Sequence, residues 1–356
     1  MSRPFTAAIL PSRNEPATIA AVTTAADQAM GEGAVIVHAD SSDTPDTADR
    51  FATTPTRAGK VALTGLRRGK GAQILAALRR PELAGAETVL IADTDTRAPD
   101  PALYRALLDQ VRRGAAFAIA DYPRHWDEAN LTNHLARPLI AATTGHDVPQ
   151  PLAGDLALSR RALDTVTRAA AELPPDLARC VDGYGIDAFL LLTAAGLGPV
   201  TSVRADEPKW HAASFPHLPV IFQQAVPVLL HLTAHRTPPP APAPILDDPG
   251  AYRTDDRVLA PDRLTGMLTT LTNLTPGPHR YDGERPWPLP AADAWRAVNS
   301  GTPPTEAADR LWPHYLHRVH DWLTCAQHAT AQHRADQLAA AHVRLHTDLT
   351  TPGAST

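Results

Sequence analysis

Cysteine is nearly absent from this chain. Cys180 and Cys325 are the only two in 356 residues, they lie far apart, and neither belongs to a Cys-x-x-Cys pair. That argues against a disulfide framework and fits reduced thiols in a cytoplasmic protein. Lysine is scarce as well, at Lys60, Lys70 and Lys209 in a chain rich in Arg, Ala and Pro, a bias that matches a GC-rich genome. Excess positive charge is missing: the net charge is -5, which gives no electrostatic reason to expect a nucleic acid as partner. No stretch reaches the roughly 18 to 20 apolar residues needed to span a bilayer, and no apolar core of signal-peptide length follows Arg3. A soluble, cytoplasmic protein is expected. No Gly-x-Gly-x-x-Gly follows the first apolar run, so an NAD enzyme is the least favoured reading.

What is present is an alternation of apolar runs and helical spacing. Residues 7–10 form an apolar run closed by Pro11-Ser12-Arg13-Asn14-Glu15-Pro16, and residues 17–30 are Ala-rich with helical spacing. Residues 34–37 lead into His38-Ala39-Asp40-Ser41-Ser42-Asp43-Thr44, and Arg67-Arg68-Gly69-Lys70-Gly71 opens a helix over 72–78. Residues 89–92 end directly in Asp93-Thr94-Asp95, and a fourth run, 115–120, is followed by Asp121-Tyr122. Such an order predicts an α/β fold with a mostly parallel sheet, whose polar loops gather at one edge and form the ligand site. Asp93 and Asp95 place two hard oxygen ligands at the end of a buried strand, where a divalent cation and a nucleotide diphosphate could share charge. The plain alternative for the pair alone is an ordinary turn.

The pattern divides the chain into an α/β part over 1–120, expected to bind the nucleotide sugar, and a longer-looped part of the same domain over 121–236, expected to hold the second substrate. A Pro-rich linker over 237–250 and a helical extension over 251–356 follow. In the extension, 257–274 and 307–347 carry apolar residues at helical intervals. Leu338, His342, Leu345 and Leu349 share one face, read as packed on its own domain, with pairing to a second copy in a homodimer as the alternative.

Taken in order, the motifs resemble the retaining GT-A glycosyltransferases that make glucosyl-3-phosphoglycerate and mannosylglycerate. The resemblance is carried by Leu10 to Glu15, Asp40 to Thr44, Gly69-Lys70-Gly71, Asp93-Thr94-Asp95, Ala136-Arg137-Pro138-Leu139, Pro151-Leu152-Ala153-Gly154-Asp155 and Gly183-Tyr184-Gly185-Ile186-Asp187. It covers roughly residues 5–235 and implies a GT-A, Rossmann-like nucleotide-diphospho-sugar transferase fold. It further implies that Pro11 and Glu15 lie at the nucleoside, with Glu15 on the ribose, and that Asp40 and Ser41 border the base. Lys70 would reach the base or phosphates, its flanking glycines giving the nucleotide close backbone access. Asp95 and His211, with Asp93 beside them, would hold Mg2+ or Mn2+ against the diphosphate. Leu152 and Gly154 would border the donor sugar, and Asp155, Tyr184 and Asp187 would act near sugar and acceptor as positioning or electrostatic groups.

The match fails at the acceptor. Where the phosphoglycerate enzymes carry a Gly-rich loop with an Arg before a Thr, this chain reads Asp127-Glu128-Ala129-Asn130-Leu131-Thr132. Two acids there disfavour a phosphate nest, so 3-phosphoglycerate is not the expected acceptor and an uncharged or amine-bearing small molecule is. The expected function is hexose transfer from a UDP-glucose or GDP-mannose type donor to a small polar acceptor. The rivals are a sugar-phosphate nucleotidyltransferase, disfavoured because residues 11–16 contain no glycine, and a non-catalytic nucleotide-sugar-binding subunit.

Overall fold

The computed structural model describes residues 5–210, 215–241, 258–274 and 286–351. The apolar runs form strands β1 (Thr6–Ser12), β2 (Val35–Asp40), β3 (Gly59–Leu63), β4 (Thr88–Ile91), β5 (Phe117–Asp121), β6 (Leu156–Ser159) and β7 (Val200–Arg204). Between and after them run helices α1 (Ile19–Met30), α2 (Asp46–Thr53), α3 (Lys70–Leu78), α4 (Pro101–Arg112), α5 (Arg137–Thr144), α6 (Arg160–Ala171), α7 (Pro175–Val181) and α8 (Gly185–Ala194). The helical remainder comprises α9 (Leu218–Thr233), α10 (Pro261–Leu274), α11 (Leu289–Asn299), α12 (Pro304–Ala326) and α13 (Ala331–Thr350). The chain divides into two compact units, Met1–Tyr122 with Gln150–Ala213, and Pro123–Pro149 with Ser214–Thr356. The stretch 121–236 thus contributes to both.

The first unit is built on one seven-stranded sheet in the order β3-β2-β1-β4-β6-β5-β7. Pairings are parallel except those of β6, which runs antiparallel to both β4 and β5. The sheet is therefore mostly parallel with helices packed on it, a Rossmann-like GT-A architecture. Strands β1 and β4 are fully buried, as apolar runs in a doubly covered parallel sheet must be. On one face Ala8 and Leu10 of β1 meet Ile19, Val22 and Ala26 of α1 and Leu103, Leu107 and Val111 of α4 in a single core. Helix α4 starts where its sequence says it should: Pro101 takes the first turn and the Asp100 carboxylate caps it, accepting from the Ala102 amide at 2.8 Å.

Strand β2 runs past the apolar stretch to Asp40. Its polar residues remain in the sheet because they bond to one another: His38, wholly buried against Phe51 at 4.6 Å, shares a 2.6 Å hydrogen bond with the Ser12 hydroxyl of β1. Burial pulls the His38 imidazole down to about 4.

In the second unit, α12 packs on α9, α10 and α11, and α13 on α5 and α11. Its core is aromatic: Phe222 lies 4.7 Å from Trp312 and 4.8 Å from Tyr315, while the Trp322 indole donates to the Trp126 carbonyl at 2.8 Å. Leu338, His342, Leu345 and Leu349 are all buried, so that face is covered within the unit. The 307–347 pattern resolves into two helices, with Thr330 capping α13 by accepting from the His333 amide. The expected linker continues beyond residue 241 outside the described residues. Among the described residues no helix is long and apolar enough to cross a membrane.

Leu107 is fully buried at the α4–sheet interface. Leu107→Ala is expected to lower the unfolding free energy by about 2–5 kcal/mol, read as a shift of the denaturation midpoint at constant slope. A loss under about 1 kcal/mol would contradict this packing.

A candidate active site at the sheet edge

Parallel strands deliver their C-terminal ends to one edge, and here those ends carry the polar residues. Glu15 follows β1, Asp40 closes β2, Asp93 and Asp95 follow β4, and Lys209 follows β7. The antiparallel β6 brings its beginning, not its end, to the same edge. Ile91 pairs with Leu156, so Asp155 sits beside the first residues after β4, and its Oδ1 accepts the Asp93 backbone N–H at 3.0 Å.

The β1 and β2 loops are zipped together. Asn14, left-handed at φ 58°, donates its side-chain amide to Asp43 at 2.9 Å, and its side-chain oxygen accepts the Asp43 backbone N–H at 2.9 Å. Asp40 is buried, and its Oδ1 accepts from the Ser12 hydroxyl at 2.9 Å and from the Ser42 amide and hydroxyl. Ser41 is buried too, its hydroxyl accepting from Gln73, which also donates to the Ser12 carbonyl at 2.6 Å. Pro11, within β1, accepts the Thr94 hydroxyl at its carbonyl. Asp40 and Ser41 therefore brace the loop through these buried bonds, while Glu15 is half-buried and accepts from the Thr18 hydroxyl at 3.1 Å. Burial raises the Glu15 carboxyl, the Thr18 hydroxyl bond opposes this, and the charges of Asp95 and Asp93 add to the rise.

At the centre lie carboxylates bridged by two ammonium groups. Lys70 Nζ is 2.8 Å from Asp93 and 2.9 Å from Asp187. Lys209 Nζ is 2.9 Å from Asp93 and 2.8 Å from Asp155, and the Tyr122 hydroxyl donates to Asp155 at 2.7 Å. Burial alone would push both lysines down, but Asp187 and Asp93 hold Lys70, and Asp155 and Asp93 hold Lys209, well above the ordinary lysine range. Burial likewise works to raise Asp93, and the two lysines overcome it and hold the carboxyl far below the usual range. Asp187 goes the other way: burial, only partly offset by Lys70, pushes it up to about 6. Asp187 sits in the first turn of α8, where the helix dipole favours an acid. Tyr184, just before that helix, is 37% exposed, and burial of the rest of its ring raises the phenol above its usual range.

The glycines flanking Lys70 make room for a neighbouring segment of the chain. Gly69 adopts φ 128°, and a Cβ at Gly69 or Gly71 would overlap the backbone carbonyls of Asp182 or Val181. Their bareness lets α3 seat on the loop before α8, with Ala72 donating to the Asp182 carbonyl at 2.8 Å and Gly71 to that of Gly183 at 3.3 Å. The close approach is helix to loop, and it brings Lys70 to Asp187. Gly154 lies so near Asp93 that a Cβ there would overlap its carboxylate. Leu152 is half-buried in the same segment.

Of the residues read from sequence, Lys70, Asp93, Gly154, Asp155 and Asp187 come together, with Glu15, Asp95 and Tyr184 around them; Pro11, Asp40 and Ser41 are buried below, and His211 lies outside the described residues. Lys209 and Tyr122 were not among the expected site residues. Lys209 had one available signal, as one of only three lysines. Among the described residues no group of three His, Cys, Asp or Glu is placed to hold a metal ion. The hard oxygens of Asp95 nonetheless suit Mg2+ or Mn2+, which take one or two carboxylates and complete their shell with water and phosphate oxygens; Asp93, engaged by Lys70 and Lys209, stands beside it.

No family model and no curated protein matches the chain. Solved structures do. The glucosyl-3-phosphoglycerate synthase of Mycobacterium tuberculosis in complex with Mn2+, UDP and phosphoglyceric acid is 25% identical with a TM-score of 0.51, over 65% of this chain and 79% of that one. The same enzyme with phosphoglyceric acid is 24% identical with a TM-score of 0.51, over 65% and 81%. Its complex with Mg2+ and UDP is 24% identical with a TM-score of 0.51, over 65% and 80%. The resemblance to the GT-A glycosyltransferases read from the ordered motifs is thus supported by the fold.

Two outcomes follow from this geometry. Gly71→Ala is expected to cost about 1–3 kcal/mol of stability, because its Cβ meets backbone that cannot turn away; a neutral effect in chemical denaturation would contradict the helix-to-loop contact. Asp187 is raised from 3.8 to about 6, so between those values the unfolded chain loses this proton before the native one does. Its contribution to stability is complete below the unfolded value and is lost as pH rises through about 6. In denaturation of wild type and Asp187→Asn at pH 4 and pH 7, the wild type should lose ground to the variant at the higher pH, and the reverse trend would refute the assignment.

Proposed function

We propose that this protein is a metal-dependent, retaining glycosyltransferase that moves a hexose from a nucleoside-diphosphate sugar of the UDP-glucose or GDP-mannose type to a small polar acceptor. The observation that carries the reading is the meeting of Asp93, Lys70 and Asp187, with Asp95 two residues on from Asp93, at the ligand edge of a GT-A sheet. It is supported by the likeness to a synthase whose complex contains Mn2+ and UDP.

Glycosyl transfer breaks the bond between the anomeric carbon and the diphosphate oxygen, and the main barrier is charge left on the departing nucleoside diphosphate. A divalent cation held by Asp95 and His211, beside Asp93, would supply charge neutralisation there. Lys70 adds a second positive charge from the first turn of α3, and Glu15 takes the ribose hydroxyls. Leu152 and Gly154 line the sugar, the bare Gly154 leaving room for the Asp93 carboxylate beside it. Tyr184 and Asp187 stand where sugar and acceptor meet. Asp187, shorter by one methylene than the Glu of the resembling enzymes, orients hydroxyls by hydrogen bonding. Retention is assigned to attack by the acceptor hydroxyl on the face from which the leaving group departs, with no covalent nucleophile.

The acceptor is read as a small molecule other than 3-phosphoglycerate, since residues 127–132 lack the glycines and the arginine of the phosphate-gripping loop. The amine-bearing reading rests on the two acids of that stretch, Asp127 and Glu128; Asp127 is buried and ion-paired with Arg263 of α10 at 3.3 Å.

The test is calorimetric titration with UDP, GDP, UDP-glucose and GDP-mannose, each with and without Mn2+. One base should bind only with Mn2+, and Asp95→Ala should weaken that binding by about tenfold or more, the scale of a lost charge-assisted contact. Unchanged affinity in the variant would overturn the metal assignment, and no binding by any nucleotide would overturn the donor class.

A further inference from the structure

We propose that Asp155 and Lys209 form a buried positioning pair that fixes Asp93 at the mouth of the site, and that Asp155 acts through Asp93 without touching the donor sugar. The proposal deepens the nucleotide-sugar reading above and rests on it. Asp155 has no exposed surface. Its Oδ1 accepts the Asp93 backbone N–H at 3.0 Å, and its Oδ2 accepts from the Tyr122 hydroxyl at 2.7 Å and from Lys209 at 2.8 Å. A carboxylate enclosed on every side, with both oxygens engaged by protein donors, presents nothing to a sugar hydroxyl.

Lys209 is equally committed. Its side chain is 3% exposed, its ammonium joins Asp155 to Asp93, and the Tyr122 ring lies 5.7 Å from Nζ. A compact ammonium with three donors bridges two carboxylates in this space, which the broad planar guanidinium of Arg does not reproduce. The pair also ties two chain segments together. Lys209 grips Asp93, and one residue further the Trp210 carbonyl accepts the Arg97 backbone N–H at 2.9 Å, just past Asp95. The segment leaving β7 and the loop after β4 are thereby held as one piece.

The experiment is a double-mutant cycle with Asp155→Asn, Lys209→Met and both together, in the full chain. Each is titrated with UDP and UDP-glucose in Mn2+, or with GDP and GDP-mannose if the base panel selects guanine, and melted without nucleotide. Either single variant should weaken the bare diphosphate and the nucleotide sugar by the same factor, about tenfold, and the double variant should be no weaker than the worse single, as interacting neighbours require. Lys209→Met should melt well below wild type, because it strands a buried carboxylate, and adding Asp155→Asn should recover part of that loss. Tyr122→Phe removes one bond and no charge, and should weaken both ligands equally even if Lys209→Met does not fold. Loss of nucleotide-sugar binding with the bare diphosphate unaffected would mean that Asp155 touches the sugar and would overturn the proposal, as would additive losses in the cycle. If wild type binds no nucleotide, the donor reading fails and the pair is judged on the melting cycle alone, where additivity overturns it.

Discussion

Charge buried in protein must be paired, and the site of this chain is organised by that requirement. Asp155, Lys209 and Asp187 are almost wholly enclosed, with Lys70 and Asp93 partly so. Three of these carboxylates alternate with two ammonium groups in one chain of contacts: Asp187, Lys70, Asp93, Lys209, Asp155. Removing either lysine takes the cation from a buried carboxylate, Asp187 in the case of Lys70 and Asp155 in the case of Lys209. The start of α3, the exit of β4, the start of β6, the first turn of α8 and the segment after β7 are held in register by this one network. The loops that form the sheet edge can vary around it, but these five points cannot move independently.

The lysines make the same point from the side of composition. Arginine carries nearly all the surface cations of this chain, so the three lysines stand out by place. Lys60 donates to the Phe51, Ala52 and Thr54 carbonyls at the end of α2, an arrangement that satisfies the orphan acceptors of a helix terminus. Lys70 and Lys209 each join two carboxylates. All three occupy sites where one compact charge with three donors meets several acceptors converging on a point. At these three places the geometry suits a compact ammonium better than a planar guanidinium.

In the second unit the physical logic is packing more than charge. Aromatic rings of α9 and α12 interlock, and the indoles of Trp287, Trp295 and Trp322 each find a backbone carbonyl, the usual way to bury a large ring with a polar tip. Buried Arg137 is held by Asp147 through two hydrogen bonds of 2.6 Å. These contacts give the C-terminal helices a core of their own, consistent with the apolar spacing seen along them.

The sequence by itself determined the class of fold and the order of the loops, because both are local: strands β1, β2, β4 and β5 and helices α1 and α3 show as runs and periods within a dozen residues, and Asp93 and Asp95 declare themselves at a strand end. Strands β3 and β7 leave no clear run in the sequence because they are sheet edges with exposed, mixed residues, and β6 because four residues make too short a pattern. Tertiary structure alone decided which charges pair. Lys70 meets Asp187 across 117 positions of sequence and Lys209 meets Asp93 across 116, and no periodicity spans such distances. It also decided that the glycines beside Lys70 admit the loop before α8, and that Asp155 is sealed. Burial and pairing are properties of the space between segments, and that space exists only once the sheet has brought their ends together.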